Sequence, residues 1–535
     1  MQPNNQGVFV TLLCLAFIMN ACSAPSPSSP TPSSTGTAPG ETAAAASSPE
    51  ATPTQLVDRS LHVPEIASTV TETIYEQRQR AALGGASTYF WPDGNLGFLP
   101  VGDGQFRFFA ANSAYSAVTL GTLDDPGAAI ENDRLKIEGV DSQFSYAAGG
   151  PVYRDPDSGL VLMFYHAERY LGGSAALFHA AIGLAASEDE GQSFQNLGII
   201  LENNAAPDVY APCCADMGGA TFTVKDGRFL VYFRDKLEDA STMQLAVATA
   251  PVEEVIQAAK NGTVSPWVKY YDGGQEPGLS GRSSHLETGN PTTSWFSVSF
   301  NSSIQRYIMA ISTPDLTPAN GYQLYLTASE DGYRWSPRVL LRETSGELTY
   351  PTIISPDGDP FNTSDSFYIY YVTTPRGVGR WQNTNVERMT VTLSGNLLEP
   401  VRAWEFEADD AGWKPLNEMG TFEVRDGALF IEATGSDPYM ISPILGISGD
   451  LFQHVEVRMK VGQGGLGQFF FTTDQVPDTT EDASVVFPVA ASDEYVTYTV
   501  DMSSSPAWKG AIALLRFDPV TSATDIEIDY IRLAP

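Results

Sequence analysis

The chain has 535 residues, with 64 Asp and Glu against 30 Lys and Arg, which gives a formal net charge of −34. Binding to phosphate backbones and to anionic lipid depends on clustered Lys and Arg, so this charge argues against nucleic acid or a membrane surface as a partner. A neutral sugar or a cation suits the balance better, and the length is sufficient for two or more domains.

The N-terminal segment is typical of an export signal. Val8 to Met19 is an apolar run that is short for a membrane span. The segment Met19-Asn20-Ala21-Cys22 that ends it resembles the bacterial lipobox, whose cysteine is lipidated. We therefore expect a lipoprotein signal over 1–22 and an exported protein, attached to the cell envelope only through lipid on Cys22. A plain secretory signal is the alternative.

Residues 23–54 are almost wholly Ser, Pro, Thr, Ala and Gly. This composition has too few apolar side chains to offset the entropy of ordering, so it predicts a disordered tether. No later run approaches the length of about 20 apolar residues that spans a bilayer.

The chain has four cysteines, of which Cys14 leaves with the signal and Cys22 carries the lipid. The remaining pair, Cys213 and Cys214, is adjacent, so in an oxidising compartment the only intrachain disulfide joins these two. Neighbouring Cα atoms lie about 3.8 Å apart, below the usual range of about 4.4–6.8 Å, and the ring would be strained. We expect this vicinal disulfide; two reduced thiols, or a metal pair, are the alternatives.

The first predicted element after the tether is a helix within His62 to Leu83, where apolar residues recur at spacings of three and four. Everything after it reads as strands separated by Gly, Asp and Pro turns. Five hairpins recur, each pairing an apolar strand with an aromatic one, and several precede a third strand. They cover residues 94–113, 149–168, 218–235, 291–312 and 350–375.

The spacing of these hairpins, roughly 50 to 70 residues, suits four-stranded propeller blades with loop insertions. The sequence therefore predicts an all-β chain, with a five-bladed β-propeller over 55–400. Ser187 to Phe194 and Ser329 to Trp335 resemble the Asp-box of sialidase-type propellers. That resemblance implies structural turns, so we expect no catalytic role for Asp189 or Asp331.

From residue 401 to 535 the strands alternate without the blade rhythm, which predicts a separate β-sandwich. This part resembles the jelly-roll carbohydrate-binding modules of bacterial polysaccharide enzymes. Such modules often hold calcium, and Glu405, Asp409 and Asp529 are the candidate ligands if the first and last strands pair. We expect no required cofactor beyond this structural ion.

In a propeller, side chains just before each first strand and just after each second strand reach the mouth of the central funnel. This rule selects one group of residues from each blade. The selected residues are Asp93, Asn112, His166, Glu168, Arg169, Asp216, Arg234, Asp235, Thr288, Asn290, Tyr350 and Arg376.

The selection contains Asp93, Glu168 and Asp216 on three consecutive blades. Glycoside hydrolysis needs one protonated carboxyl to donate to the leaving oxygen and one carboxylate to attack or to activate water. We expect Asp93 to be the base or nucleophile and either Glu168 or Asp216 to be the acid. His166, Arg169 and Tyr350 would bind the sugar. Asp208 is a lesser alternative on the loop of Asp216.

The arrangement resembles the five-bladed-propeller glycosidases, including arabinanases, xylosidases and fructanases, in which acidic residues of the first three blades form the catalytic set. The Glu-Gly-Pro of their third blade is replaced here by Asp216-Met217-Gly218-Gly219. Arg234 and Asp235 form either part of the substrate site or a structural pair that orients Asp216.

The segment from Trp267 to His285 is long for a blade turn, and such loops often carry binding residues. Its aromatic, Arg and His side chains suit the walls of sugar subsites, although packing on the blade edge is the alternative. The binding candidates here are Trp267, Tyr270, Tyr271, Glu276, Arg282 and His285.

The sequence therefore favours a lipid-anchored, monomeric glycoside hydrolase whose partner is a neutral poly- or oligosaccharide. It has no nucleophile elbow, phosphate loop or zinc-protease helix motif. A non-catalytic glycan receptor is the first alternative. A six-bladed sialidase-like enzyme is the second, and it would need an arginine triad, for which Arg234, Arg282 and Arg376 are available. A purely structural propeller is the third.

Overall fold

In the computed structural model, the described residues are 58–76, 93–112, 114–171, 174–204, 217–236, 243–286, 295–314, 321–378, 383–474, 476 and 478–535. The predicted signal, Cys22 and the tether lie outside this part of the chain. So do Cys213, Cys214, Asp208, Asp216, Thr288 and Asn290.

The first described element is a strand, β1 (Val63–Tyr75), which pairs antiparallel with β23 (Asn385–Leu398). The helix predicted over this segment is therefore wrong for residues 63–75. Its β-branched residues, which include Ile66, Val70 and Ile74, favour extended backbone. Pairing with a strand more than 300 residues away outweighs the helical spacing of the apolar side chains, and the sequence gives no local sign of that partner.

Five sheets follow between residues 63 and 398, each built from antiparallel hairpins. The first contains β2 (Gly97–Gly102), β3 (Gln105–Asn112), β4 (Tyr115–Gly121) and β5 (Ala129–Leu135). The second contains β6 (Ile137–Glu138), β7 (Tyr146–Arg154), β8 (Val161–Leu171), β9 (Ser174–Ser187) and β10 (Phe194–Glu202). The third contains β11 (Thr221–Lys225), β12 (Arg228–Lys236), β13 (Met243–Pro251), β14 (Val268–Tyr271) and β15 (Gly274–Pro277).

The fourth sheet contains β16 (Trp295–Asn301), β17 (Arg306–Pro314), β18 (Tyr322–Ser329), β19 (Val339–Thr344) and β21 (Asn362–Thr363). The fifth contains β20 (Glu347–Ile354), β22 (Ser366–Thr374), β23 and β1. Helix α1 (Val252–Lys260) lies between β13 and β14. All five predicted hairpins are confirmed, and so are the predicted third strands β9, β13 and β18.

Each of the five sheets contributes one strand to the lining of a single cavity of about 360 Å³. These strands, each the first of a predicted hairpin, are β2, β7, β11, β16 and β20. At this centre the Asn95 side-chain amide donates to the carbonyls of Phe296 (2.8 Å) and Pro351 (2.6 Å), which joins three sheets. Apolar clusters fill the space between each sheet and the next, and another lies between the fifth sheet and the first. The sheets therefore pack in sequence around a common centre.

Residues 403–534 form two further sheets that share one apolar cluster around Trp404, Trp413 and Phe469. One sheet contains β24 (Ala403–Trp404), β26 (Met419–Arg425), β27 (Ala428–Ala433), β30 (His454–Val461), β33 (Ser492–Asp501) and β35 (Thr524–Ala534). The other contains β25 (Lys414–Asn417), β28 (Tyr439–Ile441), β29 (Ile447–Ser448), β31 (Gly465–Thr473), β32 (Ser484–Val489) and β34 (Ala511–Asp518).

The described part of the chain is nearly all-β, as the sequence predicts. None of its described strands pairs across the division between the first five sheets and the last two. Contacts nevertheless join residues 57–535 into one compact unit, and the predicted domain boundary at residue 400 stays a prediction. No described helix has the length and apolar character to cross a bilayer.

Candidate functional site

Asp93 lies just before β2, at one end of the central cavity, and two tyrosines hold its carboxylate. The Tyr146 hydroxyl on β7 donates to Oδ2 at 3.0 Å, and the Tyr350 hydroxyl on β20 donates to Oδ1 at 3.3 Å. Burial, reinforced by the charge of Asp93, raises the pKa of Tyr146 well above its usual value. Tyr146 is therefore a protonated donor at any physiological pH, and Asp93 is fixed between the second and fifth sheets.

Glu168 belongs to the same cluster through β8. His166 and Glu168 lie two residues apart, so the strand alternation places them on one face, and His166 Nε2 lies 3.0 Å from Glu168 Oε1. The ladder sets Tyr146 directly opposite Glu168, and its ring meets the His166 ring edge-on at 5.6 Å.

Tyr170, two residues further along β8, is on the same face as Glu168. Burial raises the pKa of its phenol to about 12, and the charges of Glu168 and Asp93 add to the effect. The side chains of Asp93, Glu168, Tyr146 and Tyr170 thus share one partly buried environment. The structure brings together two of the three predicted catalytic residues, and Asp216 is not described.

Arg234 on β12 forms the opposite wall together with Trp295, the first residue of β16. The guanidinium lies over the indole at 4.0 Å from the ring centroid, and the indole meets the Tyr350 ring edge-on at 4.3 Å. The backbone N–H of Arg234 donates to the Gly218 carbonyl at 2.7 Å. The site therefore combines carboxylates, phenols, an imidazole and a guanidinium stacked on an indole.

Tyr350 reaches Asp93 from a left-handed backbone conformation, with φ of +58°. Its strand is irregular between Thr349 and Thr352. A bulky residue in this conformation costs on the order of 1–3 kcal/mol, which the surrounding contacts must offset. Such strain is concentrated at functional sites in proteins, and here it accompanies the hydrogen bond to Asp93.

The structure places Asp235 away from this cluster, in contrast to the predicted binding role. Only 1% of the residue is exposed, and its carboxylate accepts from Asn203 Nδ2 (2.5 Å) and Ser283 Oγ (2.6 Å), with Lys269 Nζ at 3.7 Å. Strand alternation is the reason, because neighbours in β12 face opposite sides and Arg234 takes the side of the site. Asp235 belongs to a buried ion pair.

The segment from Trp267 to His285 does not line the central cavity either. Trp267 is 4% exposed and packs on Phe164 and Phe229 in the core, so it cannot stack on a sugar. Arg282 pairs with Glu276 and lies over the ring of Tyr271. Tyr271 and Glu276 belong to β14 and β15, the outer strands of the third sheet, and Arg282 follows β15.

Four further candidates have other surroundings. His285 and Tyr270 line a second cavity. Arg169 donates to Gln143 at 2.9 Å, and Arg376 is exposed beyond β22. Because Arg282 follows β15 and pairs with Glu276, the arginine triad of the sialidase-like alternative does not form around Arg234.

The two Asp-boxes are confirmed as turns. Asp189 accepts from the backbone N–H groups of Gln192 (3.1 Å) and Ser193 (2.9 Å). Asp331 accepts from those of Tyr333 (2.8 Å) and Arg334 (2.8 Å). Each carboxylate is occupied in holding its own backbone.

The predicted calcium ligands are engaged elsewhere. Glu405 pairs with Arg532, Asp529 pairs with Arg458, and Asp409 accepts from the Ala411 N–H. Within the part of the chain that the structure describes, no three His, Cys, Asp or Glu side chains form a group that could hold a metal ion.

Sequence reasoning missed Tyr146, Tyr170 and Trp295. Trp295 lies within the predicted hairpin of residues 291–312, and it begins the observed β16, so a strand start predicted four residues later would have selected it. Tyr146 and Tyr170 become visible only when the register of β7 and β8 is known.

No protein-family model and no curated protein sequence matches the chain. Among solved structures, it is similar to a glycoside hydrolase family 43 arabinoxylan arabinofuranohydrolase from Bacillus subtilis, with 9% identity, 83% of this chain and 96% of that chain covered, and a TM-score of 0.32. It is also similar to the catalytic domain of a family 62 α-L-arabinofuranosidase from Coprinopsis cinerea, with 8% identity, coverage of 63% and 99%, and a TM-score of 0.38.

A family 29 carbohydrate-binding module is similar at 15% identity, with 25% of this chain and 90% of that chain covered and a TM-score of 0.19. These neighbours process or bind glycans. At such scores none of them establishes a shared fold or activity.

Proposed function

We propose that the chain is a five-bladed β-propeller followed by a jelly-roll sandwich, and that the cluster around Asp93 binds a neutral glycan. The observation that carries this proposal is the convergence of Asp93, Glu168 and Arg234, from three different sheets, on one group of aromatic side chains. The apolar cluster between the fifth and first sheets supports the closed propeller.

The chemistry of the cluster suits sugar hydroxyls. Tyr146, Tyr170 and Tyr350 offer hydroxyl groups, Arg234 offers a rigid set of N–H donors, and the carboxylates accept. Aromatic rings beside these groups match the apolar faces of a sugar ring. A substrate with phosphate or carboxylate groups would be repelled by the Asp93 carboxylate.

We further propose that the site hydrolyses a glycosidic bond. Glu168 would donate a proton to the leaving oxygen as the bond to the anomeric carbon breaks, and His166 would orient it. Asp93, held by two tyrosine donors, would attack the anomeric carbon or take a proton from the attacking water. Asp216 stays the alternative acid, because it was predicted on the same face of the next blade.

Carboxyl groups about 5–5.5 Å apart accompany retention of configuration, and those about 6.5–9.5 Å apart accompany inversion. The anomer that is released first, followed by proton NMR, decides between the two. We also propose that the protein is exported, is anchored through lipid on Cys22, and uses the sandwich to hold the polymer.

The test is a panel of arabinans, xylans, fructans and host-type glycans, on which both product release and affinity are measured. The proposal expects new reducing ends from at least one neutral glycan. Affinity without product would replace the hydrolase by a glycan receptor, and neither affinity nor product would overturn both.

A further inference from the structure

A second cavity lies between the third and fourth sheets and the C-terminal sandwich, with an empty volume of about 590 Å³. It shares no lining residue with the cluster around Asp93. Its polar and aromatic lining residues are Tyr270, His285, Tyr333, Arg334, Trp335 and Asp474.

The second Asp-box builds one wall of this cavity. Ser329 Oγ accepts from the Gly332 N–H at 2.8 Å, and Asp331 accepts from the two N–H groups that follow. The turn is thereby fixed, and its last three residues line the cavity. The Tyr333 ring lies 5.1 Å from that of Tyr270 and is tilted by 52° to it, so the two rings are adjacent in the cavity wall. The Asp-box therefore fixes the position of these three lining residues as well as its own turn.

The sandwich provides the other wall, and close contacts hold it in place. The Leu61 N–H donates to the Gly446 carbonyl at 2.7 Å, and Arg59 pairs with Asp450 at 3.0 Å. Gly446 is left-handed, and a Cβ there would lie 2.7 Å from Pro337 Cδ. Residue 446 therefore cannot be larger than glycine, and its contact with Pro337 fixes the distance between the two walls of the cavity.

The side chains that line the cavity favour a ligand with both apolar and polar faces. Trp335 is only 5% exposed, and its indole N–H has no acceptor among the described residues. Arg334 pairs with Asp331 at 2.8 Å, and the Asp474 carboxylate accepts from the Ala511 N–H at 3.0 Å, so both groups are held in place at the cavity wall. A purely apolar ligand would leave the Trp335 N–H without an acceptor. A strongly anionic one would be repelled by Asp474.

We propose that this cavity is a second glycan site, which binds one or two units of a neutral oligosaccharide between the fourth sheet and the sandwich. Sugar rings would lie on Tyr270 and Tyr333, and their hydroxyls would bond to Arg334, Asp474 and the Trp335 N–H. The proposal stands on the chemistry of this cavity and does not require catalysis at Asp93.

The test titrates cellobiose, xylobiose and arabinobiose into the full chain and follows calorimetric heat and tryptophan emission. Tyr333→Ala should weaken binding at this site by about tenfold or more, as expected for a central aromatic contact. Tyr325→Ala is the matched control, because Tyr325 packs on the same apolar cluster but does not line the cavity. It should leave the affinity within about twofold.

Arg334→Gln is the second variant, should Tyr333→Ala fold poorly, and it should also weaken binding. The proposal is overturned if none of the three disaccharides binds, or if all binding survives both variants and is lost in Asp93→Asn. Loss of binding in the cavity variants, in a protein without hydrolase activity, would support this site while refuting the proposed reaction.

Discussion

The substitution Gly218→Ala tests whether the position of the Arg234 guanidinium matters to the proposed site. A Cβ at residue 218 would lie 2.2 Å from Arg234 Nη2, 2.8 Å from Nε and 2.9 Å from Cζ. The glycine backbone is in a conformation that alanine also adopts, so the clash falls on the guanidinium alone. An ordinary contact begins near 3.4 Å, and the guanidinium must retreat by about 1.2 Å.

A retreat of that size would break the stack of Arg234 on Trp295, whose centroid lies 4.0 Å away. Misplacement of a positioning group by about 1 Å can lower turnover by about 10²-fold, and we expect a loss of this order. The free energy of unfolding should fall by about 1–3 kcal/mol, as at other overpacked sites, because the end of a flexible side chain can move.

The assay compares turnover on the preferred glycan with the free energy of unfolding in urea. Gly274→Ala is the matched control, because a Cβ there meets only the Tyr271 carbonyl at 3.4 Å, on the outermost strand of the same sheet. It should leave turnover unchanged. Wild-type turnover in Gly218→Ala, or equal losses in the two variants, would refute the role given to Arg234.

Three further outcomes are expected. Lys269→Met should destabilise the fold by about 3–5 kcal/mol in urea titrations, because it leaves the buried Asp235 charge uncompensated, and adding Asp235→Leu should restore most of the loss. Equal stability of the single and double variants would contradict the ion-pair interpretation. Asp331→Ala should cost about 1 kcal/mol in thermal unfolding without lowering turnover of the folded fraction, since its carboxylate holds only its own turn. Arg282→Ala should keep turnover within about twofold of the wild type, whereas Arg234→Ala should not, and similar values for both would contradict the placement of the site.

The sequence predicts the strands well because their signals are local. Aromatic runs such as the one around Phe164, bounded by Gly and Asp turns, indicate hairpins wherever they occur. The Asp-boxes are also local, and their carboxylates hold the turns as expected. The helix prediction at Val63 fails for the opposite reason, because the extended conformation of this segment depends on pairing with β23, more than 300 residues away.

The site could be predicted only in part. Asp93 follows from the start of a first strand, whereas Glu168 was expected after the second strand and lies within β8, which continues to Leu171. Which side of a strand a residue faces depends on register, and so Asp235 was expected beside Arg234 although it points to the opposite side. Trp267 was expected in a loop, but tertiary packing with Phe229 makes it part of the core.

The carboxylate pair is tested most directly by turnover of Asp93→Asn and Glu168→Gln, with Asp189→Asn as a control that keeps the same chemical change outside the cluster. We expect the wild type to release sugar from at least one neutral glycan. Each of the first two variants should lose about 10²-fold or more while remaining folded by circular dichroism, and the control should stay active. Asp216→Asn in the same series decides whether that residue is the acid. Wild-type rates in both Asp93→Asn and Glu168→Gln would contradict the proposed mechanism.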